Sequence, residues 1–419
     1  RERLRGRDEV ADAPLDPASV TVSDLKPWQD LYRQLATKTN LFAVPPQPQS
    51  PAADVLLVLS KYDSTVEELR QASLLPESRF PLNYDAGNPG TILLPDLAAM
   101  KSSVLMLRLR AIAELQNGQS EKALDDIKLG LRLVEAIHSE PFLISDLVRI
   151  AMTEILLQPI YEGLANRQWS DAQLVVLNAE LAKLDFLADY QFVMRGERTM
   201  HCKVIDYIGE KNRLKRYEET TSEMSSDAMS TAKQVGKSLK MAGLAVMPSG
   251  WFEQNKLFLA QRDQLWITGG VVPENHLASP QKFSKSNEAF SDMNKYPTTP
   301  WNFLAKEFSA ALGGAGRKAC REQISVDLAR TAIALERYRL AHGEYPESLD
   351  ALAPKFISEV PHDVIGGGPL KYRRTSDGQF ILYSVGWNER DDGGVTVIPK
   401  EGSQPKFEEG DWVWRYPQK

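Results

Sequence analysis

The sequence predicts a mainly α-helical chain that closes on a small α+β unit. A helical signal strengthens from residue 53 and is clearest over 95–138, where apolar residues recur at three- and four-residue steps. The last long helical pattern stops at Gly343, a residue suited to end a helix. Beyond it, "LKYRRT" and "QFILYSVG", separated by "SDG", read as an antiparallel hairpin. The division this implies is a proline-rich segment (1–52), a helical scaffold (53–310) and a C-terminal α+β domain (317–419), changing near 310–318.

Residues 11–52 hold one amphipathic stretch, "WQDLYRQLATKTNLF", read as a short helix between extended, proline-rich linkers. In "DSTVEELRQASLL", Asp63 or Ser64 is placed to cap a helix, with Glu67 and Glu68 in its first turn. "PESRFPLNYDAGNPGTILLP" is dense in Pro and Gly and reads as a structured loop walling something concave. Its Arg79, Phe80, Tyr84 and Asp85 form a candidate binding edge, against the alternative of a loop tied down by Phe80 and Leu82.

Residues 95–138 form a helical hairpin that reverses at "QNGQS". "PFLISDLVRIAMTEILLQPIYEGLANR" extends the layer, and the next helix starts from Ser170 as N-cap. "FVMRGERTMHCKVIDYIGE" reads as a long helix with one solvated face. Residues 219–250, rich in Ser, Thr, Met and Ala, read as a mobile excursion. A helix over "WFEQNKLFLAQRDQLWI" precedes a Pro/Ser/Asn-rich loop at 269–300. In the last long helix Leu328, Ile333, Leu335 and Tyr338 share much of one face, and His342 sits where a cation favours the helix end. "GGVTVIPK" and "DWVWRYP" add edge strands, with Trp412 and Trp414 on one strand face that reads as core or domain interface.

The balance of 50 basic and 56 acidic residues in 419, net −6, provides no field for a nucleic-acid backbone. No apolar run reaches the roughly 18 to 20 residues that cross a bilayer. The chain opens on Arg rather than Met, with four arginines in its first seven residues, which fits loss of a signal or membrane anchor ahead of a basic stem, or an ordinary solvated helix start. Cys202 and Cys320 match no metal spacing, leaving one disulfide or two buried thiols. The five histidines form no HExxH or paired-ligand spacing, and neither a G-x-S-x-G elbow nor a phosphate-binding P-loop occurs.

Ala111, Leu115, Gly118, Ala123 and Leu124 resemble the tetratricopeptide pattern over one repeat and part of another, against the alternative of helix-turn-helix packing without a repeat array. "ALERYRLAHGEYPESLDAL", "VPHDVIGGGPLKY" and "LYSVGWNERDDGG" together resemble the globular part of type II secretion major pseudopilins across residues 320–395. That resemblance implies a spine helix, a Tyr-Pro turn, a small sheet and a calcium loop. Asn388, Asp391 and Asp392 stand where the loop falls, as oxygen donors of the kind Ca²⁺ takes, against the alternative of an ordinary polar turn. The family's hydrophobic helix is missing directly ahead of the unit, so filament formation is not implied. Most of the chain also resembles uncharacterised envelope proteins of planctomycete and verrucomicrobial bacteria through "RFPLNYDAG" and "EPFLISDLVRIA". The reading is a non-enzymatic envelope scaffold with a protein partner. Its alternative is a hydrolase or carbohydrate-active enzyme with a cleft between the helical layer and the loops.

Overall fold

A computed structural model of the chain describes residues 22–37, 45, 47–84, 87–89, 92–224, 241–308, 314–396 and 408–416. It is mainly helical, with small antiparallel sheets towards the C-terminus. Helices α1 (Lys26–Ala36) and α2 (Pro51–Leu59) lead in, α2 starting at Pro51 because Ser50 accepts the Ala53 N–H as N-cap. In α3 (Asp63–Ser73) the two expected caps, Asp63 and Ser64, are instead the first two helical residues, and the Asp63 carboxylate turns to Arg110.

Helices α4 (Asp96–Gln116) and α5 (Ser120–Ala136) form the expected hairpin. Ala111, Leu115, Ala123 and Leu124 are buried at its closed end, and Gly118 turns the chain in the left-handed region. Helix α6 (Leu143–Ala165) lies against both, and its Gly163 leaves room for the Trp169 indole, which would stand 2.1 Å from a Cβ at that position. Ser170 and Gln173 start α7 (Asp171–Leu181) with a reciprocal capping box. Helix α8 (Phe186–Gly209) follows, then α9 (Arg213–Met224) and α10 (Ser249–Thr268). Much of the expected excursion at 219–250 lies outside the described residues.

The 269–300 loop is a correction. Strands β1 (Val271–Val272) and β2 (Leu277–Ala278) make a small hairpin, and Pro280–Lys295 is a helix, α11. Ser279 accepts the Lys282 N–H and Pro280 stands in the first turn, a start signal that outweighs the polar composition. Phe283 and Phe290 then anchor the helix, against Tyr190 and Trp266.

After the short α12 (Phe303–Glu307), helix α13 (Ala315–His342) runs through the middle of the molecule against α6, α7 and α8. Burial on one face was the expectation. Nearly every residue from Ala319 to Glu336 is buried, because helices cover one side and the sheet the other. Gly343, at φ 88°, ends the helix. Strands β3 (Lys371–Arg374), β4 (Phe380–Ser384) and β5 (Trp412–Arg415) form an antiparallel sheet in that order, with Tyr372 opposite Leu382 and Leu382 opposite Trp414.

One apolar core runs from Val66 to Tyr416, so the helix after the expected boundary shares its packing with the scaffold before it. Trp414 meets Tyr161 of α6 edge-on at 5.3 Å, and the Tyr161 hydroxyl donates to the Arg415 carbonyl. Smaller cores lie under α10 and α12 and beneath α1 and α2. Among the described residues no helix is long and apolar enough to cross a membrane, and both cysteines are free thiols.

Candidate functional site

A cleft of about 630 Å³ opens between α2, α3 and the α4–α5 hairpin. Its floor is built on Asp126 of α5, which is wholly buried. Arg70 of α3 donates to Asp126 Oδ1 at 2.5 Å and Arg110 of α4 donates through Nε to Oδ2 at 2.8 Å, so one carboxylate joins three helices. Arg110 also reaches Asp63 at 2.5 Å and lies 3.8 Å from Glu114, one turn along α4. Exposed Glu67 and Lys122 line the rim, with Asn117 and Gln119 from the hairpin turn.

Glu114 departs most from its ordinary chemistry. It is 2 % exposed, and its Oε2 has no hydrogen-bond partner among the described residues. Burial first, then the charge of Asp126, pushes its carboxyl up to about 8 against the pull of Arg110, Lys122 and Arg70. Glu114 is therefore a neutral acid at pH 7, able to donate or accept a hydrogen bond. Arg70 Nε, of the residues lining this cleft, is a second buried polar atom with no partner among the described residues. Glu114 and Asp126 do not make an acid–base pair for hydrolysis, because Asp126 is buried with both oxygens held by guanidinium groups.

The expected binding edge lies elsewhere. Tyr84 stacks on Phe142 at 5.9 Å and 6°, Phe80 packs on the main core, Arg79 is exposed, and Asp85 lies outside the described residues. Burial and the neighbouring Glu140 raise the Tyr84 hydroxyl, while Arg79 opposes them. Glu140 is itself buried and accepts the Ser145 hydroxyl at 2.5 Å. The loop is thus laid across the start of α6, bringing "RFPLNY" onto "EPFLIS".

In the expected calcium loop, Asn388 donates to Asp392 at 2.8 Å and accepts from the Arg390 N–H. Asp391 accepts from the Tyr383 hydroxyl and the Gly393 N–H, with Lys371 3.6 Å away. Asp411, wholly buried, takes the Asp392 and Gly394 N–H groups and ties the loop to β5. Among the described residues no three His, Cys, Asp or Glu side chains are grouped to hold a metal.

Three histidines bridge elements instead. His138 reaches Asp189 at 2.8 Å, His201 reaches Asp263 at 3.4 Å, and His276 reaches Asp327 at 3.3 Å. His342 contacts the Tyr338 carbonyl at 2.9 Å and stacks on its ring at the end of α13. Sequence reading missed Glu114, Asp126 and Arg110. Their one local signal is the i, i+4 spacing of Arg110 and Glu114, common on any helix. Comparison with known proteins gave no match to a protein family, to a curated protein or to a solved structure.

Proposed function

We propose that the chain is a non-enzymatic scaffold of the cell envelope whose helical layer binds an extended segment of a protein partner in the Glu114 cleft. The observation that carries this is a cleft of about 630 Å³ whose exposed rim bears both signs of charge, Glu67 and Lys122, over a floor fixed by the Arg70–Asp126–Arg110 staple. A peptide supplies charged side chains of both signs to complement that rim. Asp126, with both oxygens held by guanidinium groups, does not serve as the second carboxylate of a hydrolytic pair with Glu114.

The hairpin's small residues and left-handed Gly118 support a tetratricopeptide-like unit. Spine helix, turn and antiparallel sheet follow the order of a pseudopilin-like domain. Burial of the spine in α6, α7 and α8 argues for a fixed support rather than a polymerising one. Envelope placement rests on sequence resemblance, and fractionation of the producing cells tests it: recovery wholly in the cytosol sinks it.

Peptides selected by display on the purified chain should lose at least about tenfold in affinity, about 1.4 kcal/mol, on Lys122→Glu. Lys122 is exposed and outside the Arg70–Asp126–Arg110 staple, so folding should be unchanged. A selection yielding no peptide sensitive to this change removes the reading. Calcium is proposed for Asn388, Asp391 and Asp392. Added calcium at millimolar concentration should raise the melting temperature, and an Asp391→Ala, Asp392→Ala double variant should abolish the rise. No shift in the wild type eliminates the site.

A further inference from the structure

On α10, Trp251, Gln254, Phe258 and Gln261 follow at steps of three, four and three, which places them along one face. With Leu257 and Trp301 they line a groove of about 530 Å³, separate from the Glu114 cleft. The two indoles meet edge-to-face, with centroids 5.9 Å apart and planes at 73°. Trp301 is 46 % exposed and Leu257 58 %, so apolar surface faces outward.

The groove is held in shape from beneath. Asn255, wholly buried, donates to the Trp251 carbonyl at 2.8 Å and the Pro300 carbonyl at 2.9 Å. Its Oδ1 accepts the N–H groups of Leu304 and Ala305 at 2.9 and 3.2 Å. Arg262, also buried, donates to the Ala305 carbonyl at 2.8 Å. The segment bearing Trp301 is therefore pinned to α10 before any ligand arrives, which lowers the ordering cost of binding.

Among the described residues the lining contains no charged side chain. A phosphate backbone or anionic headgroup would find no cation there. A purely aliphatic ligand would cover the Gln254 and Gln261 amides and leave them unserved. Sugar rings answer both features: their C–H faces lie on indole and phenyl rings, and each rim hydroxyl, a donor and an acceptor, meets an amide that is both. Gln254 and Gln261 are separated by about 10.5 Å along the helix at 1.5 Å per residue, a span suited to linked rings rather than one.

We propose that this groove binds a neutral linear oligosaccharide, stacked on Trp301 and Trp251 and hydrogen-bonded by Gln254 and Gln261. The proposal is independent of the peptide cleft. Cellotetraose, chitotetraose and maltotetraose are titrated into the full chain, followed by tryptophan fluorescence and calorimetry. At least one should bind saturably, weakened at least about tenfold by Trp301→Ala and by a Gln254→Ala, Gln261→Ala double variant with unchanged thermal unfolding. Absence of binding by all three at millimolar concentration overturns the proposal. So does binding that survives both variants, or a groove that takes a proline-rich peptide and none of the sugars.

Discussion

Asp189→Ala is expected to destabilise the fold by about 3–5 kcal/mol, the range for removing one partner of a buried ion pair. Asp189 on α8 holds two cations with its two oxygens: Arg149 of α6 at 2.7 Å and His138, beyond the end of α5, at 2.8 Å. Arg149 is 2 % exposed and rests over the Phe186 ring. Without Asp189 it keeps the Val134 carbonyl at 3.2 Å and Asp146 at 3.4 Å. Asp146 is a poor replacement, because burial pushes its carboxyl up to about 7. Losing the negative charge of Asp189 eases that ionisation, which favours the lower end of the range.

The loss should also depend on pH. Hydrogen bonds to Asp189 and then Glu135 raise His138 from 6.5 to about 9. A raised folded-state value means that the stabilisation is complete below the unfolded value and disappears as pH rises through about 9. Urea unfolding should therefore show a wider gap between wild type and variant near about pH 6 than near about pH 9.5. An equal gap at both refutes the role of His138, and a gap below about 1 kcal/mol at both refutes the buried pair.

What could be read from the sequence was local. Ser170 with Gln173, Gly343 after His342, and "SDG" between apolar runs are signals complete within a few residues, and each marks the element expected of it. Helix α11 escaped because its start signal, Ser279-Pro280, sits in a stretch whose composition reads as loop. The burial of α13 on all sides was beyond periodicity, since charged residues such as Asp327 and Glu336 pattern as solvated faces. Asp327 instead meets His276, 51 residues away, and Glu336 binds Arg339 and Tyr345. The staple in the cleft is equally non-local: Arg70 and Asp126 are 56 residues apart. Trp251 and Trp301 likewise come together where Asn255 and Arg262 tie distant segments.

Glu322→Met is expected to stabilise the protein, by about 1–3 kcal/mol at mildly acidic pH, the penalty of a buried polar group without partners. Glu322 on α13 is wholly buried, and neither carboxyl oxygen has a hydrogen-bond partner among the described residues. Burial and the nearby Glu154 hold its carboxyl well above the usual carboxylate range, with Arg321 opposing them. Methionine is flexible enough to take up the vacated space without branching into α6. The gain should grow with pH. A raised carboxyl stabilises the fold below its unfolded value near 4.5, and that contribution disappears as pH rises towards the folded value.

Glu114, raised to about 8, and Asp146, raised to about 7, act in the same direction, so the wild type should weaken steadily from about pH 4.5 to about pH 8. Glu322→Met removes one share of that slope and leaves those of Glu114, Asp146 and, above about pH 6.5, His138. Urea midpoints near about pH 5 and about pH 8.5 measure it. A variant weaker than wild type at both would mean that the Glu322 carboxyl is held by a partner worth more than its burial costs. Glu322→Gln separates charge from polarity: it should recover the pH-dependent part of the gain and little of the part present at pH 5, because the amide remains as short of partners as the acid.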